Sequence, residues 1–423
     1  MPRRTQLAFI PTELALMSML VGCGTTARGT DSRPASVPTE AARATAVSPA
    51  SGPDRFAAAR PVGPGTQPRL AIDGQRRRLH LVYVHEGKLL YRTGQLDGAF
   101  DASEIVFAAD GLWDPNLVLD DGGVPHIVVA DGHYKNRYTW YTNRLGGAWK
   151  ERLIVVDKHA DRTDRTTTPH LFVREGVAYV GTFTVGGEGL GERWGMLARL
   201  GDLDGSPRIA TKRPIDPWNP QVFLVGDELW IGGRNKANHA KGRRHFTFQR
   251  HDAATLAEQG DPITASGDIH GEMGRASLDE RGDIHAAGTL NREPRKTAGW
   301  YNTLARARAG LPPVKYHTTN VNASGAALPL RDRAAADRVY VFYWSGSTEG
   351  EPKTCAPGNQ IRFTRIEKGE KAVEERPVTD RSGIHGISYR QTPCAAPHPD
   401  GGMLVVFEEC GAEPVLHVTR VGG

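Results

Sequence analysis

Pro68-Arg-Leu-Ala-Ile-Asp73 followed by Leu79-His-Leu-Val-Tyr83, and then Pro115-Asn-Leu-Val-Leu-Asp120 followed by His126-Ile-Val-Val129, decide the fold of this chain. Each copy reads as a proline, a polar residue, apolar residues in alternation, an Asp/Gly turn and a second apolar run. Alternation at period two marks half-buried strands, and the turn residues between them mark a hairpin. Pro169–Val173 with Ala178–Val180 and Pro220–Leu224 with Leu229–Ile231 repeat the unit. So do Gly274–Asp279 with Ile284–Ala287, a degenerate copy at Ala326–Leu330 with Val339–Tyr343, and Pro393 leading to Met403–Phe407.

The copies begin at residues 68, 115, 169, 220, 274, about 326 and 393. A spacing near 50 residues with short strands predicts an all-β, seven-bladed β-propeller of four-stranded blades, because one such sheet cannot bury its two faces alone. Helical repeats are excluded by the period-two alternation and by the frequent Gly and Pro punctuation. Within a blade, strand A is the Pro motif and strand B follows the Asp/Gly turn. Lys88–Arg92 and Tyr138–Asn143 read as strand C, and Ile105–Ala108 and Arg152–Val156 as strand D. The last unit ends after a third strand, Val415–Val421, so residues 55–60 are expected to supply its fourth and close the ring.

The 423 residues are 39% hydrophobic and 24% charged, enough to bury a large core and too mixed for a disordered chain. A formal charge of +5, spread over 53 basic and 48 acidic residues, leaves no nucleic-acid footprint. Residues 1–22 carry Arg3 and Arg4 and a short apolar run from Leu14 to Val21, which suits a cleaved export signal and is too short for a permanent span. Leu20-Val-Gly-Cys23 resembles a bacterial lipobox, and the resemblance implies lipidation of Cys23 and attachment to a membrane. Glu13 and Pro11 depart from that pattern by shortening the apolar stretch. Residues 23–53, rich in Thr, Ser, Ala, Pro and Gly and free of aromatics, read as a tether, and 54–423 as the propeller. Gly24 stands where the resemblance would require Asp for inner-membrane retention, so the expected address is the cell envelope, at the outer membrane if there is one.

The repeats are similar to the BNR-repeat, sialidase-like propellers of exported bacterial proteins. The resemblance implies a ligand site on the face where D-to-A and B-to-C loops emerge. Asp-box turns of true sialidases are missing: Ser277-Leu-Asp279-Glu-Arg-Gly282 is the nearest and lacks their Trp. The A-to-B turns are short and plain, whereas the opposite loops are long and rich in His, Arg, Asn, Tyr and Trp. Those residue types fit carbohydrate: aromatic faces cover sugar rings, amides bond hydroxyls and Arg forks clamp carboxylates. The expected binding residues are Asn116, His133, Arg137, Trp218, Asn219, Arg234, Asn235, Glu272, Arg275, Arg292 and Arg390.

Resemblance to propeller lyases acting on uronate polysaccharides would make His170, His270 and Tyr389 acid–base groups, with Arg137, Arg234, Arg275 and Arg292 neutralising the sugar carboxylate. A glycosidase would rest on Glu272 with Tyr389. A non-catalytic scaffold for another envelope protein is the third reading. His80, His126 and His285 recur at one place in strand B and read as structural. Cys394 and Cys410 flank a hairpin and are expected to form a disulfide, with Cys355 open as an alternative partner for either. No paired Cys/His spacing for a metal occurs, no cofactor is implied, and a monomer is expected.

Overall fold

Each copy of the repeat folds into an antiparallel sheet whose strands run outward in chain order, and seven such sheets are present. The computed structural model describes residues 58–131, 138–157, 163–186, 193–234, 245–267, 274–289, 298–317, 327–345, 360–373, 375–379 and 393–422. Blade 1 spans residues 66–108, blade 2 113–157, blade 3 163–215, blade 4 218–264, blade 5 275–317 and blade 6 328–377. Blade 6 has an irregular outer edge, where Lys371–Ala372 and Arg376–Pro377 share one neighbour, Gln360–Glu367.

Blade 7 joins the two ends of the described chain. Cys394–Pro397, Met403–Glu409 and Val415–Val421 supply strands A to C, and Arg60–Pro64 lies outermost, with Arg60 opposite Val418 and Pro64 opposite Val415. The ring therefore closes as expected, with Arg60–Pro64 as the closing strand; of the expected residues 55–60, Arg60 belongs to it, Ala58 and Ala59 precede it, and 55–57 lie outside the described residues. Pro61 and Pro64 suggest a turn when read in sequence. An outermost strand tolerates them because its free edge needs no donors, and they also block pairing with another chain. Val62 packs into the seam beside Leu416 and Val418.

The core lies between blades. Seven clusters of buried apolar residues are found among the described residues, one at each junction of consecutive blades, including the junction of blade 7 with blade 1. Strand B shows the logic most plainly. In Met403–Glu409, Leu404 and Val406 face blade 1 while Met403, Val405 and Phe407 face blade 6. Both faces of a blade are thus apolar, which is why its central strands read as nearly continuous hydrophobic runs.

Strands A, B and C are also pinned by a repeated polar relay. His126 places Nδ1 2.7 Å from the Tyr141 hydroxyl and Nε2 3.3 Å from Asp120, and His285 does the same with Tyr301 (2.8 Å) and Asp279 (3.1 Å). His80 meets Tyr91 at 2.5 Å. The aspartates open the A-to-B turns, where Asp120 Oδ1 accepts the Val124 N–H and Asp279 Oδ1 accepts those of Arg281 and Asp283. The three strand-B histidines are therefore structural, as their recurrence implied.

Burial pushes the His80 imidazole down to about 4. Between pH 6.5 and 4 the unfolded chain takes up this proton before the folded one. The contribution is thus complete above pH 6.5 and lost as pH falls toward 4. In urea titrations, His80→Gln should lose about 2 kcal/mol less than wild type between pH 7 and 4.5. Deleting residues 60–64 should lower Tm by roughly 10 °C in a single cooperative transition, since it bares the blade 7 edge and part of the seam. An unchanged Tm by calorimetry would contradict the closure.

Candidate functional site

Strands A of all seven blades line a central channel of about 690 Å³. Strand A enters from the face bearing the long loops, and in blades 1 to 4 it begins with a register skip at the proline. The residue before each proline, namely Gln67, Asp114, Thr168 and Asn219, takes a left-handed backbone with φ between 50° and 56°. A non-glycine residue, and a β-branched threonine above all, adopts this conformation at a cost of order 1–3 kcal/mol, so the surrounding contacts must hold it.

Hydrogen bonds that run from one blade to the next brace these residues and the strand-A positions that follow them. Gln67 Oε1 accepts the Asp114 N–H at 2.6 Å, and His170 Nδ1 accepts the Val222 N–H at 3.1 Å. Gln221 Oε1 accepts the Ala276 N–H at 2.5 Å, and Glu408 Oε2 accepts the Gln67 N–H at 3.3 Å. Thr168 Oγ1 donates to Asn219 Oδ1 at 3.0 Å, and Arg69 is ion-paired to Asp114. A side chain at the head of one blade therefore satisfies a backbone donor of the following blade.

The residue after the proline position forms a single layer at the channel mouth, because it holds the same place in the A–B pairing of every blade: Arg69, Asn116, His170, Gln221, Arg275, Leu328 and Cys394. All seven line the channel. Two residues deeper the lining is Ala71, Val118, Phe172, Phe223, Ser277, Leu330 and Ala396, apolar but for one serine. A polar mouth stands above an apolar throat.

Of the residues expected from sequence, Asn116, His170 and Arg275 are brought together here. The Asn116 amide makes no hydrogen bond to protein among the described residues, so its donor and acceptor remain available to a ligand. His170 is pushed down to about 3 by burial, with the Arg275 guanidinium adding to the effect. Its Nδ1 lone pair is taken by Val222, which leaves a neutral ring with the proton on Nε2. Such a ring can donate to a ligand but cannot act as a base without breaking its own support. Asn219 props Thr168, and Arg234 is buried at the end of Glu228–Arg234, opposite Trp218; neither lines the channel. Cys23, His133, Arg137, Asn235, His270, Glu272, Arg292, Tyr389 and Arg390 lie outside the described residues.

The expected Cys394–Cys410 disulfide is not formed. Cys394 is a free, buried thiol, whereas Cys410 is disulfide-bonded elsewhere. Pairing explains the correction: Cys394 stands opposite Val406, four residues short of Cys410, and its side chain packs in the seam with Leu404 and Leu416. Burial raises this thiol to about 12.

Sequence reasoning missed Gln67, Arg69 and Glu408 and did not single out Gln221. A signal for three of them was present. Gln-Pro-Arg, Asp-Pro-Asn, Thr-Pro-His and Asn-Pro-Gln are one motif, polar–Pro–polar, at the head of four successive blades. Glu408 ends an apolar run and carries no such mark.

No family model and no curated protein matches the chain. Solved structures similar in fold include a protein of unknown function from Dyadobacter fermentans, 11% identical with a TM-score of 0.46, covering 86% of this chain and 99% of that one. An α-L-arabinofuranosidase from Fusarium graminearum is 9% identical with a TM-score of 0.47, over 74% and 92% of the two chains. A polysaccharide lyase is 11% identical with a TM-score of 0.49, over 84% and 89%.

Proposed function

We propose that this protein is a lipid-anchored protein of the cell envelope whose propeller binds an acidic polysaccharide at the polar mouth of its channel. The observation that carries the reading is the mouth layer itself, in which Arg69, Asn116, His170, Gln221 and Arg275 arrive from five separate blades. Arg69 and Arg275 bring two guanidinium groups to the mouth, and guanidinium forks match carboxylate or sulfate groups in geometry as well as charge. The unengaged Asn116 amide suits a sugar hydroxyl. The lipobox-like Leu20-Val-Gly-Cys23 and the composition of residues 23–53 support anchoring.

Binding is favoured over lysis because His170, the one described acid–base candidate, has committed its lone pair to the backbone of blade 4. Isothermal titration with polygalacturonate, and with neutral dextran as control, tests the reading. Asn116→Ala should weaken polygalacturonate binding roughly five- to tenfold with Tm unchanged, the loss of about one hydrogen bond. Affinity should also fall with added salt. No unsaturated product should accumulate by ultraviolet absorbance in either wild type or His170→Ala. Equal affinity for dextran would overturn the acidic class, and an absorbance rise abolished by His170→Ala would replace binding with lyase activity.

A further inference from the structure

The repeat offers an internal control for each buried residue. Two positions beyond the strand-B residue that pairs with the mouth layer, blades 1, 2, 3 and 6 carry Val84, Ala130, Phe183 and Trp344, and blades 4 and 5 carry Arg234 and Thr289. In blade 7 this place holds Glu408, only 1% exposed. It continues the Leu404–Val406 face into the junction with blade 1. An apolar residue serves there in four siblings, so a buried carboxyl is a local departure that costs stability and calls for a role.

The contacts supply one. Glu408 Oε2 accepts the Gln67 N–H, Gln67 Oε1 accepts the Asp114 N–H, and Asp114 pairs with Arg69 in the mouth layer. The chain of bonds crosses the closure seam, from blade 7 through blade 1 to blade 2, and fixes two of the four left-handed residues. We propose that Glu408 is a positioning residue for the channel mouth, holding Arg69 in its binding geometry through Gln67 and Asp114. The proposal deepens the acidic-polysaccharide reading and, where it concerns ligand, rests on it.

The clamp is sensitive to protonation. Burial raises the Glu408 carboxyl to about 8, against a smaller lowering by the Gln67 N–H. Its neutral form belongs to the folded seam, whose stability is full below about pH 4.5 and declines as pH rises through 8. The charged or titratable side chains on the strands packed against it are Arg69 and Asp73 of blade 1 and Cys394, Glu409, His417 and Arg420 of blade 7, and Tyr83 of blade 1 shares its seam. Asp73 binds Arg76 at the far end of strand A, and Arg420 bonds the carbonyls of Asp400 and Gly401. His417 stacks on Phe407, on the opposite face of the blade, and pairs with Glu409. Arg69, Cys394 and Tyr83 remain on the seam side toward the mouth among the described residues.

Amide hydrogen exchange of the full chain at pH 7 and 9, corrected for intrinsic rates, reads the clamp without a ligand. Protection at Gln67 and Asp114 should fall roughly tenfold in wild type between the two pH values. It should stay level in Glu408→Gln, which keeps an acceptor and cannot ionise. Glu408→Val, carrying the residue of blade 1, should show protection roughly tenfold lower at both pH values with Tm retained. Polygalacturonate affinity should follow the same three patterns. Wild-type protection that is level with pH, or wild-type protection in Glu408→Val, overturns the proposal. The expected exchange pattern with no polygalacturonate bound by any variant supports the clamp and counts against the acidic-glycan reading.

Discussion

Burial of both faces of every blade is the constraint on which the rest of this structure depends. A four-stranded sheet with one face in water can stop at that face. A sheet with Leu404 and Val406 on one side and Val405 and Phe407 on the other cannot. It needs a neighbour on each side, and seven sheets satisfy one another only when the last meets the first. The closing strand Arg60–Pro64 follows from that need, and its two prolines suit the one strand position that must not recruit a further partner.

Radial assembly has a chemical consequence. It brings the first residues of seven separate strands to one opening, where each can differ without disturbing the packing below. The throat stays apolar, while the mouth layer varies from Arg through Asn, His and Gln to Leu and Cys. Two of the left-handed residues before the prolines, Gln67 and Asp114, are held by side chains reaching forward from the preceding blade, and like bonds to Val222 and Ala276 continue the bracing around much of the mouth's circumference. Bracing of this kind preorganises a binding surface, because little ordering remains to be done when a ligand arrives.

Much of this was legible in the chain. Period-two alternation repeated near every 50 residues specifies blades, and the recurrence of His in strand B marked those histidines as structural, although the Asp and Tyr partners of the relay emerged only in the structure. The closing strand was displaced by a few residues because Pro-Val-Gly-Pro carries turn signals that only an edge position overrides. The Cys394–Cys410 pair failed for a related reason: proximity in sequence around a hairpin says nothing about register, and register sets Cys394 against Val406. Asn116, His170 and Arg275 were found because they stand in polar segments leading into strand A, whereas Arg69 and Gln221, at the same place after the proline, were passed over. Glu408 was not, since a carboxyl buried by a neighbouring blade leaves no trace in its own flanking residues.

The central claim is that a ligand with acidic sugars meets the mouth layer. A crystal structure of the protein soaked with an oligogalacturonate tests it most directly. The account predicts sugar within hydrogen-bond distance of the Asn116 amide, with a carboxylate facing Arg69 or Arg275. Sugar bound instead among the A-to-B turns of the opposite face, beside Arg77 and Asp400, would contradict it.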